Sequence, residues 1–195
     1  MPPDRWKIVP GYYLIYKFLN SLFLGLNVGT IFTIYSPLDP SVYSLGGIAL
    51  ALAMLLVAQL YHTIMTLGWF YRISLFVELT VMGLIVWFLL FPYTYFTALL
   101  VYAGYQLTFS FGSYLVRAET LALENDELLR RVDSAKQLGY LAGMGLSWII
   151  YKTLEYFDIA DNRLKIYDLH WLLITVEILI VIFLLRSFAK SESPT

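Results

Sequence analysis

The sequence has no cysteine and little charge. Without cysteine there is no disulfide, no thiolate metal site and no cysteine nucleophile, and the redox compartment is left open. Lys and Arg number 13 against 14 Asp and Glu, a formal net charge of −1, so no basic excess exists to hold nucleic acid electrostatically. Charged residues make up 14% of the 195, where a soluble domain carries about 25%. Gly-x-Ser-x-Gly, His-Glu-x-x-His and a glycine-rich phosphate loop ending in Lys-Ser/Thr are all missing. The residues point to no enzyme and to no cofactor.

What is abundant is apolar side chain: 59% of the residues, with a mean hydropathy of +0.70. A membrane-spanning helix needs about 20 mostly apolar residues, so six would use roughly 120 and leave short loops and one longer one. Six runs are visible, over residues 12–35, 44–66, 70–91, 95–117, 138–155 and 169–185. The first is too long for a signal-peptide core and no small-x-small cleavage site follows it, so a retained span is expected. Ser36-Pro37-Leu38-Asp39-Pro40 and Pro92 break the chain, because proline lacks an amide donor and disfavours helix in the residue before it. Leu67-Gly68-Trp69 reads as a tight turn and residues 157–167 as a polar loop, with Asp168 capping the last span. Residues 118–137 are the one long polar stretch. Within it Asn125 is a candidate helix cap, and Asp126–Arg130 and Glu127–Arg131 are i,i+4 pairs in the favourable acid-first order, so helix five should begin near Asp126, outside the membrane. The expected fold is all-α and integral to the membrane: one six-helix domain over residues 1–195.

Six spans place both termini on one face. Arg5, Lys7, Arg72, Arg117, Arg130, Arg131, Lys136, Arg186 and Lys190 fall on that face and only Arg163 and Lys165 on the other, while Lys17 and Lys152 lie within spans. Nine against two predicts cytoplasmic termini and a cytoplasmic 118–137 segment, in the plasma (inner) membrane, with the lipid bilayer as the first partner. The two histidines, His62 and His170, fall toward opposite faces and cannot pair on a metal.

Uncharged polar residues inside the spans fall on helical stripes. Span one carries Asn20, Asn27 and Thr30; span two Gln59 and His62; span four Tyr102, Gln106, Phe109 and Ser113; span five Tyr140, Ser147 and Tyr151. Such stripes line a shared wet cavity or make hydrogen bonds between helices. The candidate substrate cavity is Asn20, Asn27, Gln59, Tyr102, Gln106, Ser147 and Tyr151. Asn27, Gln59, Gln106 and Tyr151 are expected on one concave face, since an unpartnered amide in hydrocarbon costs several kcal/mol. Glu78 and Glu177 lie deeper than any other carboxylates, which suggests either proton coupling or a satisfied structural contact. Gly139-x-x-x-Gly143 and Gly25-x-x-x-Gly29 permit close helix approach.

Phe109-Ser110-Phe111-Gly112-Ser113 through Glu119, then Arg130-Arg131 and Gly139-x-x-x-Gly143-x-Gly145, together with six runs and a short two–three turn, resemble the N-terminal half of a major facilitator superfamily transporter over nearly the whole chain. The resemblance implies an acid at the end of span four, here Glu119, meeting basic residues of the cytoplasmic loops, here Arg72, Arg130 or Arg131, as a cytoplasmic gate. Of the family's two–three loop, residues 61–70 keep only Gly68, with Arg72 nearby. That family encloses its substrate between two six-span halves, and this chain supplies one. The resemblance therefore implies a half-size transporter of an unspecified small solute, acting with a second copy or a separate six-span half. The reduced two–three loop fits a second reading, a membrane scaffold or assembly factor that has lost transport.

Overall fold

The computed structural model describes residues 6–123 and 125–190. Arg5, counted above on the cytoplasmic side, lies outside them. The described chain is helical apart from one short sheet. Strand β1 is Trp6–Ile8 and the helices are α1 Pro10–Asn27, α2 Thr30–Ile34, α3 Pro40–Gln59, α4 Tyr61–Ile64, α5 Leu67–Leu90, α6 Tyr95–Ser110, α7 Gly112–Ala122, α8 Asp126–Tyr156 and α9 Asn162–Ser187, followed by strand β2, Phe188–Lys190.

Local chemistry sets these boundaries. Pro10 and Pro40 open α1 and α3, where a missing amide costs nothing. The Asn125 side chain accepts from the amides of Glu127 and Leu128, so α8 starts at Asp126 as the sequence suggested. Two expectations are corrected by caps. Thr66 accepts from the Trp69 amide, which makes Leu67-Gly68-Trp69 the first turn of α5 rather than a separate turn. Asp161 accepts from the Arg163 amide, so α9 begins about two turns before Asp168 and the preceding loop is short. Tyr93 adopts a left-handed φ of 59° in the turn between α5 and α6. Three apolar runs read as continuous are interrupted: the first between Asn27 and Thr30, the second at Leu60 and the fourth at Phe111.

By length and composition, α3, α5 and α9 are each able to cross a membrane. The most extensive packing sets α1 between α8 and α9; α9 packs also on α5, α5 on α6, and α6 on α3. Tyr13, Leu26, Phe70, Tyr114, Leu173 and Ile180 form the centre of the core. The α1–α8 crossing is made by glycine. A Cβ on Gly139 would run into the Phe18 carbonyl oxygen, one on Gly143 into the Leu22 carbonyl oxygen, and one on Gly25 into the Tyr140 carbonyl oxygen. These helices therefore meet backbone to backbone.

The sheet was not expected. β1 and β2 pair antiparallel, Trp6 opposite Lys190 and Ile8 opposite Phe188, which clasps the two ends of the described chain together. Aromatic contacts hold the clasp to the helices: Trp6 stacks on Tyr71 at 5.0 Å and Phe188 meets Tyr13 edge-on at 6.0 Å.

Candidate functional site

α1 carries a polar seam along its length. Tyr13, Lys17, Asn20 and Asn27 follow helical spacing, so they share one face, with Tyr16 beside it. Their partners fall into three groups along the helix. At the N-terminal end, the Tyr13 hydroxyl donates to Glu119 of α7 at 2.6 Å. Lys17 pairs with the same carboxylate at 2.9 Å, and Lys136 of α8 pairs with its other oxygen. Burial alone would raise this carboxyl, but the two ammonium groups outweigh it and hold its pKa down at about 2. In the middle, Tyr16 and Asn20 both donate to one Glu78 oxygen of α5, at 2.8 and 2.9 Å. Toward the far end, the Asn27 amide donates to the Tyr105 hydroxyl of α6 at 2.7 Å, and Thr30 donates back to Asn27. Glu177 of α9 is fully buried, and among the described residues neither of its oxygens has a hydrogen-bond partner.

Of the other candidate cavity residues, Tyr102, Gln106 and Tyr151 line two separate cavities, and Gln59 and Ser147 line neither. Gln106 and Tyr102 line an apolar cavity of about 370 Å³ between α3 and α6, beside Leu45, Ala49, Leu99 and Ala103. The Gln106 carbonyl oxygen is buried there without a partner, while Tyr102 donates to the Tyr43 carbonyl at 3.2 Å. Tyr151 lines a polar cavity of about 230 Å³ where the α1–α2 break meets α8 and α9. Ser147 lies one turn earlier, in the narrow stripe of α8 buried with Gly139 and Gly143. Gln59 is exposed at the end of α3. The four residues expected on one concave face are thus divided: Asn27 is sealed against Tyr105, Gln106 and Tyr151 face different cavities, and Gln59 faces outward. A shared stripe register does not fix the rotation of each helix about its axis.

The gate contact is expected in one conformational state. In this conformation Glu119 is joined to Lys17, Lys136 and Tyr13, not to an arginine. Arg130 forks onto Glu127 on the exposed side of α8, at 2.8 and 3.0 Å, and Arg72 lies over the Trp69 ring at 5.3 Å. Arg131 is exposed. Tyr13, Tyr16, Tyr105 and Lys136 were missed. Tyr13 and Tyr16 extend the Asn20 stripe backward by whole turns, a signal present in the sequence; Lys136 could not be separated from its cationic neighbours.

Among the described residues, no group of three or more His, Cys, Asp or Glu side chains is placed to hold a metal ion. His170 is buried against the Phe88 ring, with Nδ1 2.7 Å from the Ile166 carbonyl oxygen, and is a packed residue of α9. Compared with known protein families, characterised proteins and solved structures, the chain matches none.

Proposed function

We propose that the chain is a six-span, half-size membrane transporter, related to one half of a major facilitator, that moves a small solute by alternating access with a second copy or a separate six-span half. In this reading α1–α2, α6–α7 and α8 join α3, α5 and α9 as spans, with both termini cytoplasmic in the plasma (inner) membrane. The observation that carries it is the pattern of helix packing. Taking the spans in order, the first packs on the fifth and sixth, the fourth on the second and third, and the third on the sixth. Exchanging the first three with the last three leaves this set unchanged. The exchange also relates the interruption after Asn27 to the one at Phe111, while the break at Leu60 in the second span has no counterpart in α8. Inverted repeats with broken helices are the architecture of many secondary transporters, whose sites lie where the repeats meet. Interruptions of this kind persist at membrane depth only where protein or a cavity receives the freed backbone groups.

The polar seam supports the same reading. Glu78, Tyr16, Asn20 and the unpaired Glu177 cluster among α1, α5 and α9, where a proton taken up by Glu177 would remove a buried charge. That makes Glu78 and Glu177 the proposed proton-coupling pair, and Glu119 with its lysines the proposed cytoplasmic latch. The scattered cavity residues and the reduced two–three loop favour the second reading, a scaffold. Native mass spectrometry from lipid nanodiscs, with solute uptake into proteoliposomes, separates the two. A paired assembly with saturable uptake is expected; a strict monomer that transports nothing supports the scaffold instead.

A further inference from the structure

The polar cavity at the α1–α2 break has an excess of hydrogen-bond donors. It is lined by Gly29, Thr33, Tyr151, Glu155, Asn162, Lys165 and Ile166. The Lys165 side chain is only 6% exposed, and its ammonium reaches one Glu155 oxygen at 3.0 Å. Lys152 occupies the other Glu155 oxygen at 2.8 Å. Glu155, the one carboxylate of that lining, is therefore engaged at both oxygens, and the exposed Lys152 that holds one of them stands outside the cavity wall. An ammonium carries three donors, of which Lys165 uses one here. The Tyr151 hydroxyl is buried and has no hydrogen-bond partner among the described residues. Thr33 and Asn162 add further polar groups to the wall.

We infer that this cavity binds a small monocarboxylate. A ligand that satisfies the site must bring acceptors. A carboxylate brings two oxygens that can meet the unused donors of Lys165 and Tyr151 together through charge-assisted hydrogen bonds. A cation would meet none of the free donors. At ~30 Å³ per water, about 230 Å³ holds roughly seven waters, which suits an acid of a few carbons and excludes a nucleotide. The inference deepens the transporter reading by naming its substrate class, and rests on that reading only in calling the bound acid a substrate.

The test uses the purified full chain in detergent, with lactate as probe, lactamide as its uncharged counterpart and sodium chloride at matched ionic strength. Saturable thermal stabilisation and calorimetric binding are expected with lactate alone. Tyr151→Phe, which removes one hydroxyl and no charge, should weaken binding about tenfold. Lys165→Gln should abolish it, and Tyr151→Phe keeps the test decisive if that variant fails to fold. An equal response to lactamide or to chloride, or unchanged binding in Tyr151→Phe, overturns the site. Uptake of labelled lactate into proteoliposomes is read separately. Binding without uptake keeps the site and removes transport; uptake that ignores Tyr151→Phe keeps transport and removes the site.

Discussion

Glu119 sits where α1, α7 and α8 converge, and its neutralisation is asymmetric: one buried carboxylate faces two ammonium groups and a phenol. Replacing it by glutamine leaves Lys17 without its counter-charge in a mostly buried place, with Lys136 keeping only Asp133, and removing one member of a buried pair costs about 3–5 kcal/mol. Glu119→Gln should therefore lower the melting temperature clearly, whereas Arg130→Ala, which frees Glu127 at the exposed surface, should cost only ~0–1 kcal/mol. The pH dependence follows from the direction of the shift. A folded-state pKa held below that of a free glutamate, ~4.3, gives a contribution that is complete above that value and is lost as the pH falls toward the folded pKa. The deficit of Glu119→Gln should thus stay constant between about pH 8 and about pH 5; a deficit that fades across that window would mean that the carboxylate is not held as described.

The α1–α8 crossing gives a sharper test at the level of elements. A methyl group on Gly143 overlaps a backbone carbonyl of α1, which no side-chain rotation relieves, while Gly145, two residues on, has open space around its Cβ position. Gly143→Ala should destabilise by about 1–3 kcal/mol through overpacking, and Gly145→Ala should be neutral or gain up to ~1 kcal/mol from helix propensity. Thermal unfolding of the two variants in one detergent decides it, and equal melting temperatures would contradict the close crossing. This contact was legible in the sequence because glycine spacing is a local signal. So was the start of α8, where Asn125 and two acids announce a cap. The caps at Thr66 and Asp161 were hidden because hydropathy marks where apolar sequence begins, not where helix begins. The interruptions at Val28–Gly29 and Phe111 were hidden for the same reason: the apolar run continues through them without proline. The partners of Glu119 depend on how α8 is rotated, which turns Lys136 inward and Arg130 outward. Three-residue strands carry no periodicity, so β1 and β2 left no trace.

At the scale of the molecule, α8 is the longest element: 31 residues at ~1.5 Å each make about 46 Å, more than the ~30 Å hydrocarbon layer. Its first turns should then project into water on the side of Ser134. Cysteines placed at Ser134 and Asn162, both exposed, should react with a membrane-impermeant reagent from opposite faces of sealed vesicles; reaction from the same face would refute the six-span topology. The clasp between β1 and β2 has a consequence for ancestry. Because Trp6 and Lys190 lie side by side, a tandem duplication of this unit would launch its second copy from the face where the first one finished. The duplicate would keep the original orientation, with no extra crossing to invert it. A gene encoding two such units in a row would thus yield parallel halves related by an axis along the membrane normal, and a single chain could replace an assembly of two without any change in how each unit is built.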